Sequence, residues 1–209
     1  MTNKFKGPVS AGELMAMLNK DPAYLAQKTL EEKERAEREA AFASEEAPLI
    51  AELNSLGVNV SRVSDLINKP MVYTAAIPKL VHHLSLNYSD AVRDMIARAL
   101  GVKEARRYWS TIVSEYRRTP LKNPDGSPNR TKDGLAAAIA IICTPETLEQ
   151  LIELVEDKTL GESRILLLRV LRKSKNPRAK NVLEKLEFDS ELATEIGSWS
   201  KKSKSITKN

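Results

Sequence analysis

Past position 75 the chain repeats one apolar quartet, spaced i, i+3, i+4, i+7. It occurs at Ile77, Leu80, Val81 and Leu84, then at Ala105, Tyr108, Trp109 and Ile112. It returns at Leu148, Leu151, Ile152 and Val155, and at Ala179, Val182, Leu183 and Leu186. A second series lies between these. It runs through Val92, Met95, Ile96, Ala99 and Leu100, then Leu135, Ala138, Ile139, Ile142 and Cys143. It continues with Ser163, Leu166, Leu167, Val170 and Leu171, and ends in a degenerate Leu192, Ile196 and Trp199. At 3.6 residues per turn those offsets fall on one face, so each set predicts one amphipathic helix.

The spacing between sets predicts how the helices are joined. From the first series to the second, the step is 15 residues from 77 to 92 and again from 148 to 163. It is 13 from 179 to 192, but 30 from 105 to 135. The extra length falls on Arg118–Lys132, where Pro120, Pro124, Gly126 and Pro128 mark a loop. Successive pairs step by 28, 28 and 31 residues (77 to 105, 135 to 163, 148 to 179). Four helical hairpins with a period of about thirty, one carrying an insertion, account for every step. Hairpins this short cannot bury an apolar face alone, so they are expected to stack on one core. The fold class predicted is all-α, an α-solenoid. A tetratricopeptide array is the nearest rival, but its period is about 34 and its Trp, Gly and Tyr pattern is missing.

The region before the repeats predicts helix as well. Residues 1–47 read as an extended charged helical segment. Ser10 and Glu13 have capping-box spacing before Leu14, Met15, Met17 and Leu18, and Asp21-Pro22 is a second start signal. From Glu31 to Glu39 there is no wide apolar stripe, which predicts a solvent-exposed helix laced with ion pairs. A coiled coil is the alternative, but no apolar heptad persists for three repeats. Pro48 is expected to break or restart the helix. Residues 48–74 form a helical cap, with a stripe of Leu49, Ile50, Leu53 and Leu56 closed by Gly57. A further short helix near Ser61 carries Val60, Val63, Leu66 and Ile67. Residues 75–199 are the repeat domain, and the Lys- and Ser-rich 200–209 form a basic tail expected to be disordered.

Two segments carry a family resemblance. Asp90-Ala91-Val92-Arg93 through Arg98-Ala99-Leu100, and Glu162-Ser163-Arg164 through Arg169-Val170-Leu171, resemble the second helix of HEAT-like repeats. The period matches the short bacterial variety rather than the longer form near 40. The resemblance covers residues 75–199, and the leader before them is similar to that of bacterial HEAT-repeat proteins. What it implies is a fold: HEAT-like modules serve as scaffolds, lyase chaperones, glycosylases and inhibitors alike. It also implies that the second helices line a concave surface.

Composition narrows the functional classes. Apolar residues make up 42% of 209 and charged residues 29%, while eight Gly and ten Pro are too few for an all-β chain. No run of about 18 apolar residues predicts a membrane span. Met1–Pro8 has no apolar run behind its lysines, so no secretory signal is expected and the cytoplasm is the expected address. A single Cys143 excludes a disulfide framework and a Cys-rich zinc site. The net charge is +5, yet residues 1–46 hold seven basic and nine acidic groups, and the last twelve residues supply four lysines with no acid. The sequence pI near 9.2 therefore overstates the basic character of the folded part.

Candidate chemistry is sparse. His82 and His83 diverge by about 100° on a helix and cannot share a metal as an i, i+4 pair does. Cys143 occupies the apolar position of Leu100 and Leu171. The paired acids Glu45-Glu46 and Glu156-Asp157 read as ordinary helix surface, and Asp90 and Asp133 as helix caps. No serine elbow, phosphate loop or dinucleotide fingerprint occurs, so no catalytic residue, metal or cofactor is assigned.

The arginines carry more. Arg93 and Arg164 share one repeat position and Arg98 and Arg169 another. They predict either a basic strip for an acidic ligand or a ladder holding neighbouring hairpins in register. Ala136 and Ile141 interrupt the strip in the repeat between. Residues 144–163 net −5 and residues 164–185 net +7, a polarity that favours a protein partner. The insertion, with Arg117, Arg118, Lys122, Arg130 and Lys132 in or beside it, is either a recognition loop or idle length. The expected function is a non-catalytic protein-binding or scaffold module using the concave face or the loop. The alternative is nucleic-acid binding through the basic block, the loop and the tail. An enzyme would need a cleft acid beside Tyr108 or Trp109.

Overall fold

The computed structural model describes residues 9–206, with side chains as far as Trp199. Among the described residues every regular element is a helix, and the one β-type bridge joins Lys122 to Pro128. The chain divides into two compact units, residues 1–45 and 46–209.

In the first unit, α1 (Ala11–Leu18) opens on the capping box the sequence predicts. The Glu13 amide donates to Ser10 Oγ at 3.3 Å and the Ser10 amide donates to Glu13 Oε2 at 3.0 Å. No residue of α1 is buried, and Leu14, Met15 and Met17 are exposed. Helix α2 (Pro22–Ser55) starts on Asp21, whose Oδ1 accepts from the Ala23 amide at 2.9 Å. Its charged stretch carries Lys28–Glu32, Lys33–Glu37 and Glu34–Arg38 pairs at 4.0, 3.8 and 3.9 Å. Such exposed pairs support a helix by about 0.3–0.5 kcal/mol each.

The second unit begins with a correction: Pro48 does not break the helix, and α2 runs through it to Ser55. Proline removes one ladder donor, a cost of about 3 kcal/mol in an isolated helix. Here the turn is anchored from both sides. Leu49 and Leu53 are buried, and Glu46 is 2% exposed. Glu46 accepts from Arg62 Nε at 2.9 Å and from the Val63 amide at 3.2 Å, so it is no ordinary surface acid. Gly57, at φ +80°, ends the helix as predicted, with the Val58 amide returning to the Leu53 carbonyl. The helix expected near Ser61 is reduced to one turn, α3 (Asp65–Asn68). Asp65 accepts from the Ser61 and Arg62 amides, which fixes the preceding residues as a turn instead.

Each of the eight apolar sets falls on a helix. They are α4 (Ile77–Leu84), α5 (Asp90–Ala99), α6 (Trp109–Arg118), α7 (Arg130–Ile142), α8 (Leu148–Glu156), α9 (Ile165–Lys173), α10 (Pro177–Leu186) and α11 (Ala193–Ile206). Ala105 and Tyr108 belong to a 3₁₀ segment, Lys103–Tyr108, that leads into α6. Every predicted pair is in contact: α4 with α5, α6 with α7, α8 with α9 and α10 with α11. The second-series helices also meet in chain order, α5 against α7 and α7 against α9. Helix α11 continues past Ser200, where the tail was expected to start, and the end of that tail lies outside the described residues.

Helix α7 is buried around most of its circumference, which explains its small side chains. Gly134 marks its closest approach to α5. A Cβ built there would collide with Asp94 Oδ1 and lie 2.9 Å from the Asp94 backbone oxygen. Asp94 is itself buried and accepts from Arg98 Nε at 2.8 Å. Burial pushes its carboxyl above the ordinary range, against the pull of Arg98. A Gly134→Ala substitution is therefore expected to lower stability by about 2 kcal/mol or more, since backbone has to move. Gly12→Ala, in α1 with nothing within 4 Å, should leave stability unchanged or raise it by about 0.5–1 kcal/mol. Urea unfolding of the two variants checks both signs.

Candidate functional site

Arginines at equivalent repeat positions have unlike fates. Arg164 is 1% exposed. Its guanidinium donates to the Gly161 and Val155 carbonyls at 2.9 and 3.0 Å, to Asp189 at 3.3 and 3.4 Å, and to Glu191 at 2.5 Å. The candidate role of Arg164 in a partner-facing strip is thus corrected: every donor group is spent inside the protein. Burial pushes the Asp189 carboxyl up, but the Glu191 amide and Arg164 outweigh it and hold the group below its usual range. Arg93 is half-buried, with Nε donating to the Leu84 carbonyl at 3.3 Å and the guanidinium 3.6 Å from Glu115 on α6. Both arginines reach an acid of the following hairpin, as a register ladder requires. Arg98 pairs within its own helix, while Arg169 is exposed. The four do not form one strip.

The insertion is shorter than predicted, since α6 ends at Arg118 and α7 begins at Arg130. It folds back at Gly126 (φ +83°), with the Asn123 amide donating to the Ser127 carbonyl at 2.8 Å. One carboxylate ties it down. Asp90 accepts from the Arg130 and Thr131 amides at 2.9 and 2.8 Å, from the Thr131 hydroxyl at 2.8 Å and from Asn123 Nδ2 at 3.2 Å. Asp90 thus caps α7, forty residues away, while Ser89 caps α5. Asp133 is no cap, because α7 starts three residues before it. At the other end Leu121 packs over Gly161, whose absent side chain leaves the room.

Lys132, expected beside the loop as a surface cation, is 3% exposed. Its Nζ donates to the Tyr116 and Thr119 carbonyls at 3.0 and 2.7 Å, closing the C-terminus of α6, and burial pushes the ammonium down. The Tyr116 hydroxyl meets Ser163 Oγ at 2.8 Å, and burial pushes its pKa up to about 12. Arg118 pairs with Glu115 and Arg117 lies 3.9 Å from Asp157. Lys122 and Arg130 remain exposed. Arg93, Arg118 and Glu115 share a shallow cavity of about 310 Å³, where the one acid answers both cations.

A larger concavity lies elsewhere, between α7 and α9, with a volume of about 760 Å³. Ala137, Ala140 and Ile141 of α7, with Leu148, Leu166 and Val170, make its apolar lining. Arg169, Lys173 and Lys175 are its cations, and no acid lines it. Ile141 is 54% exposed, so an apolar side chain stands in solvent where the flanking repeats carry Arg98 and Arg169. Of the cations picked as candidate binding residues from the sequence only Arg169 belongs to this groove. The signal for the rest was the break at Ile141: an interruption of the basic pattern is where the apolar wall stands.

The remaining candidates differ in burial. His83 is 3% exposed, its Nδ1 2.7 Å from the Tyr88 hydroxyl and its Nε2 3.4 Å from Glu52, while His82 is exposed. Cys143 is half-buried at the groove, and burial pushes its thiol up, away from thiolate chemistry. Trp109 is buried and donates to Gln150 Oε1 at 2.6 Å. Among the described residues no three His, Cys, Asp or Glu side chains gather where they could hold a metal, and no helix is long and apolar enough to cross a membrane. Compared with known proteins, the chain matches no family model, no curated protein and no solved structure.

Two expectations follow from the polar ties. Arg164→Ala strands buried Asp189 and should cost about 3–5 kcal/mol in thermal or denaturant unfolding, whereas Arg169→Ala should stay within about 0.5 kcal/mol. Asp90→Ala removes the cap of α7 and should cost about 2 kcal/mol. Burial pushes the Asp90 carboxyl up, but the Thr131 and Arg130 amides, with the Thr131 hydroxyl and Asn123, outweigh this and hold it below its usual range. Its contribution is therefore complete above the unfolded pKa of about 3.9 and lost as pH falls through the lower folded value. The stability gap between wild type and Asp90→Ala should close in that acid window, as unfolding measured across pH would show.

Proposed function

We propose that this protein is a non-catalytic protein-binding module, a short α-solenoid of HEAT-like hairpins that receives its partner in the groove between α7 and α9. The observation that carries the reading is Ile141, a large apolar side chain standing in solvent on the wall of the 760 Å³ concavity. Hydrophobic surface of this kind, rimmed by charge, is the usual mark of a protein contact. The row of contacts from α5 to α7 to α9 supports the stacked arrangement. Catalysis would need an activated group in the cleft, and the groove offers a thiol held up by burial and no acid or histidine. The nucleic-acid alternative draws on the basic block, the insertion and the tail. In or beside the insertion the exposed Arg117 and Arg118 are paired with Asp157 and Glu115, which leaves Lys122 and Arg130 without a carboxylate partner among the described residues.

Site-specific photocrosslinking tests the reading. A benzophenone side chain in place of Ile141, irradiated in the native host, should give a discrete adduct destroyed by protease. An Ala140→Trp change, which fills the groove, should abolish it. A nuclease-sensitive adduct, or one indifferent to Ala140→Trp, overturns the proposal.

A further inference from the structure

The groove's polar edge says more about its occupant than the apolar wall does, and this step rests on the protein-binding reading. We propose that the α7–α9 groove takes an acidic amphipathic helix of the partner protein. The first argument is a cluster of unpaired cations. Arg62, Arg93, Arg98, Arg118, Arg164 and Arg178 each have a carboxylate within 4 Å. Arg169, Lys173 and Lys175, all exposed, have none among the described residues. Arg172, close by, lies over the Trp199 ring at 4.8 Å. Other exposed cations, among them Lys103, Lys122, Arg130, Lys158 and Lys185, also have no carboxylate within 4 Å among the described residues, but these three stand together along one edge of an apolar concavity that no acid lines. The missing acids are expected on whatever enters.

Geometry selects the form of that ligand. Arg169 and Lys173 stand four residues apart on α9, one turn or about 6 Å, and Lys175 follows beyond the helix end. Acids one turn apart on a partner helix would match them. Facing this edge, Ala137 and Ala140 are small enough to admit a close approach, and Ile141 rises beside them. Both long walls are helices, so an extended peptide would find no strand edge to pair with its backbone. A helix satisfies its own amides and presents side chains at i, i+3 and i+4 instead. Single-stranded nucleic acid would call for aromatic stacking platforms, and none lines this groove.

Fluorescence anisotropy on the full chain decides the matter, with three probes. The first is a labelled peptide of about 18 residues with leucines on one helical face and glutamates flanking them. The second has lysine for every glutamate, and the third is a single-stranded oligonucleotide of similar length. The acidic peptide is expected to bind roughly tenfold or more tightly than the lysine peptide, a preference that shrinks with added salt. The double variant Arg169→Glu, Lys173→Glu should reverse that preference, and the neutral Ile141→Ser should weaken both peptides. All three positions are exposed, so circular dichroism and Tm should match wild type. Equal affinity for the two peptides, or indifference to Arg169→Glu, Lys173→Glu, overturns the acidic assignment. The protein-binding reading would survive that result if the crosslink at position 141 still captured a protein. An oligonucleotide that binds as tightly as the acidic peptide, and is lost with the same variant, overturns both.

Discussion

The close crossing of α5 and α7 governs the rest of the structure. Gly134 admits the Asp94 backbone where any side chain would collide, and the two helices then share one wall of the core. Since α6 and α9 cover α7 from other directions, most of its circumference is enclosed, with Leu135, Ile139 and Ile142 filling the core. The small Ala136 and Ala138 are fully buried within that enclosure. The half-buried Ala137 and Ala140 instead form the floor of the groove beside α9. Packing at native density leaves no slack to absorb a larger residue at such a crossing.

Charged groups finish what the close crossing begins. Asp90, from α5, holds the first turn of α7, while Lys132, from that same turn, holds the last turn of α6. Arg164 binds the start of α9 to the segment after α10. Each of these groups would be costly to bury alone, and each is satisfied by several partners. Because hydrogen bonds demand direction as well as proximity, such ties define how far one hairpin is rotated against the next, which apolar contact alone leaves loose. The cations facing the groove have no such partners, and their grouping beside an apolar wall is what makes that edge distinctive.

The helices were legible because amphipathic periodicity records burial directly, and all eight apolar sets fell where helices form. Turn chemistry was equally readable at Ser10, Asp21 and Gly57. Long-range partnership was not. Asp90 precedes an apolar set at cap distance, so its own helix seemed the natural recipient, yet its hydrogen bonds span some forty residues that no local pattern encodes. Lys132 and Glu46 were misjudged likewise, because a charged side chain carries no sign of whether a carbonyl or a guanidinium awaits it. Arg93 and Arg98 looked equivalent to Arg164 and Arg169 by register. What separates them is the acids around them, at 94, 115 and 189, which arrive from other turns and other hairpins.

The welded insertion has a practical corollary. Its two feet are fixed by Asp90 and by Leu121 over Gly161, while a side chain at Gly126 would meet nothing within 4 Å. Extra sequence spliced in at that crest, such as an epitope or a fluorescent reporter, would lengthen only the free bend and transmit no strain to the helices beneath. The crest is thus a natural handle, by which the molecule can be tethered or tracked while its core stays as it is.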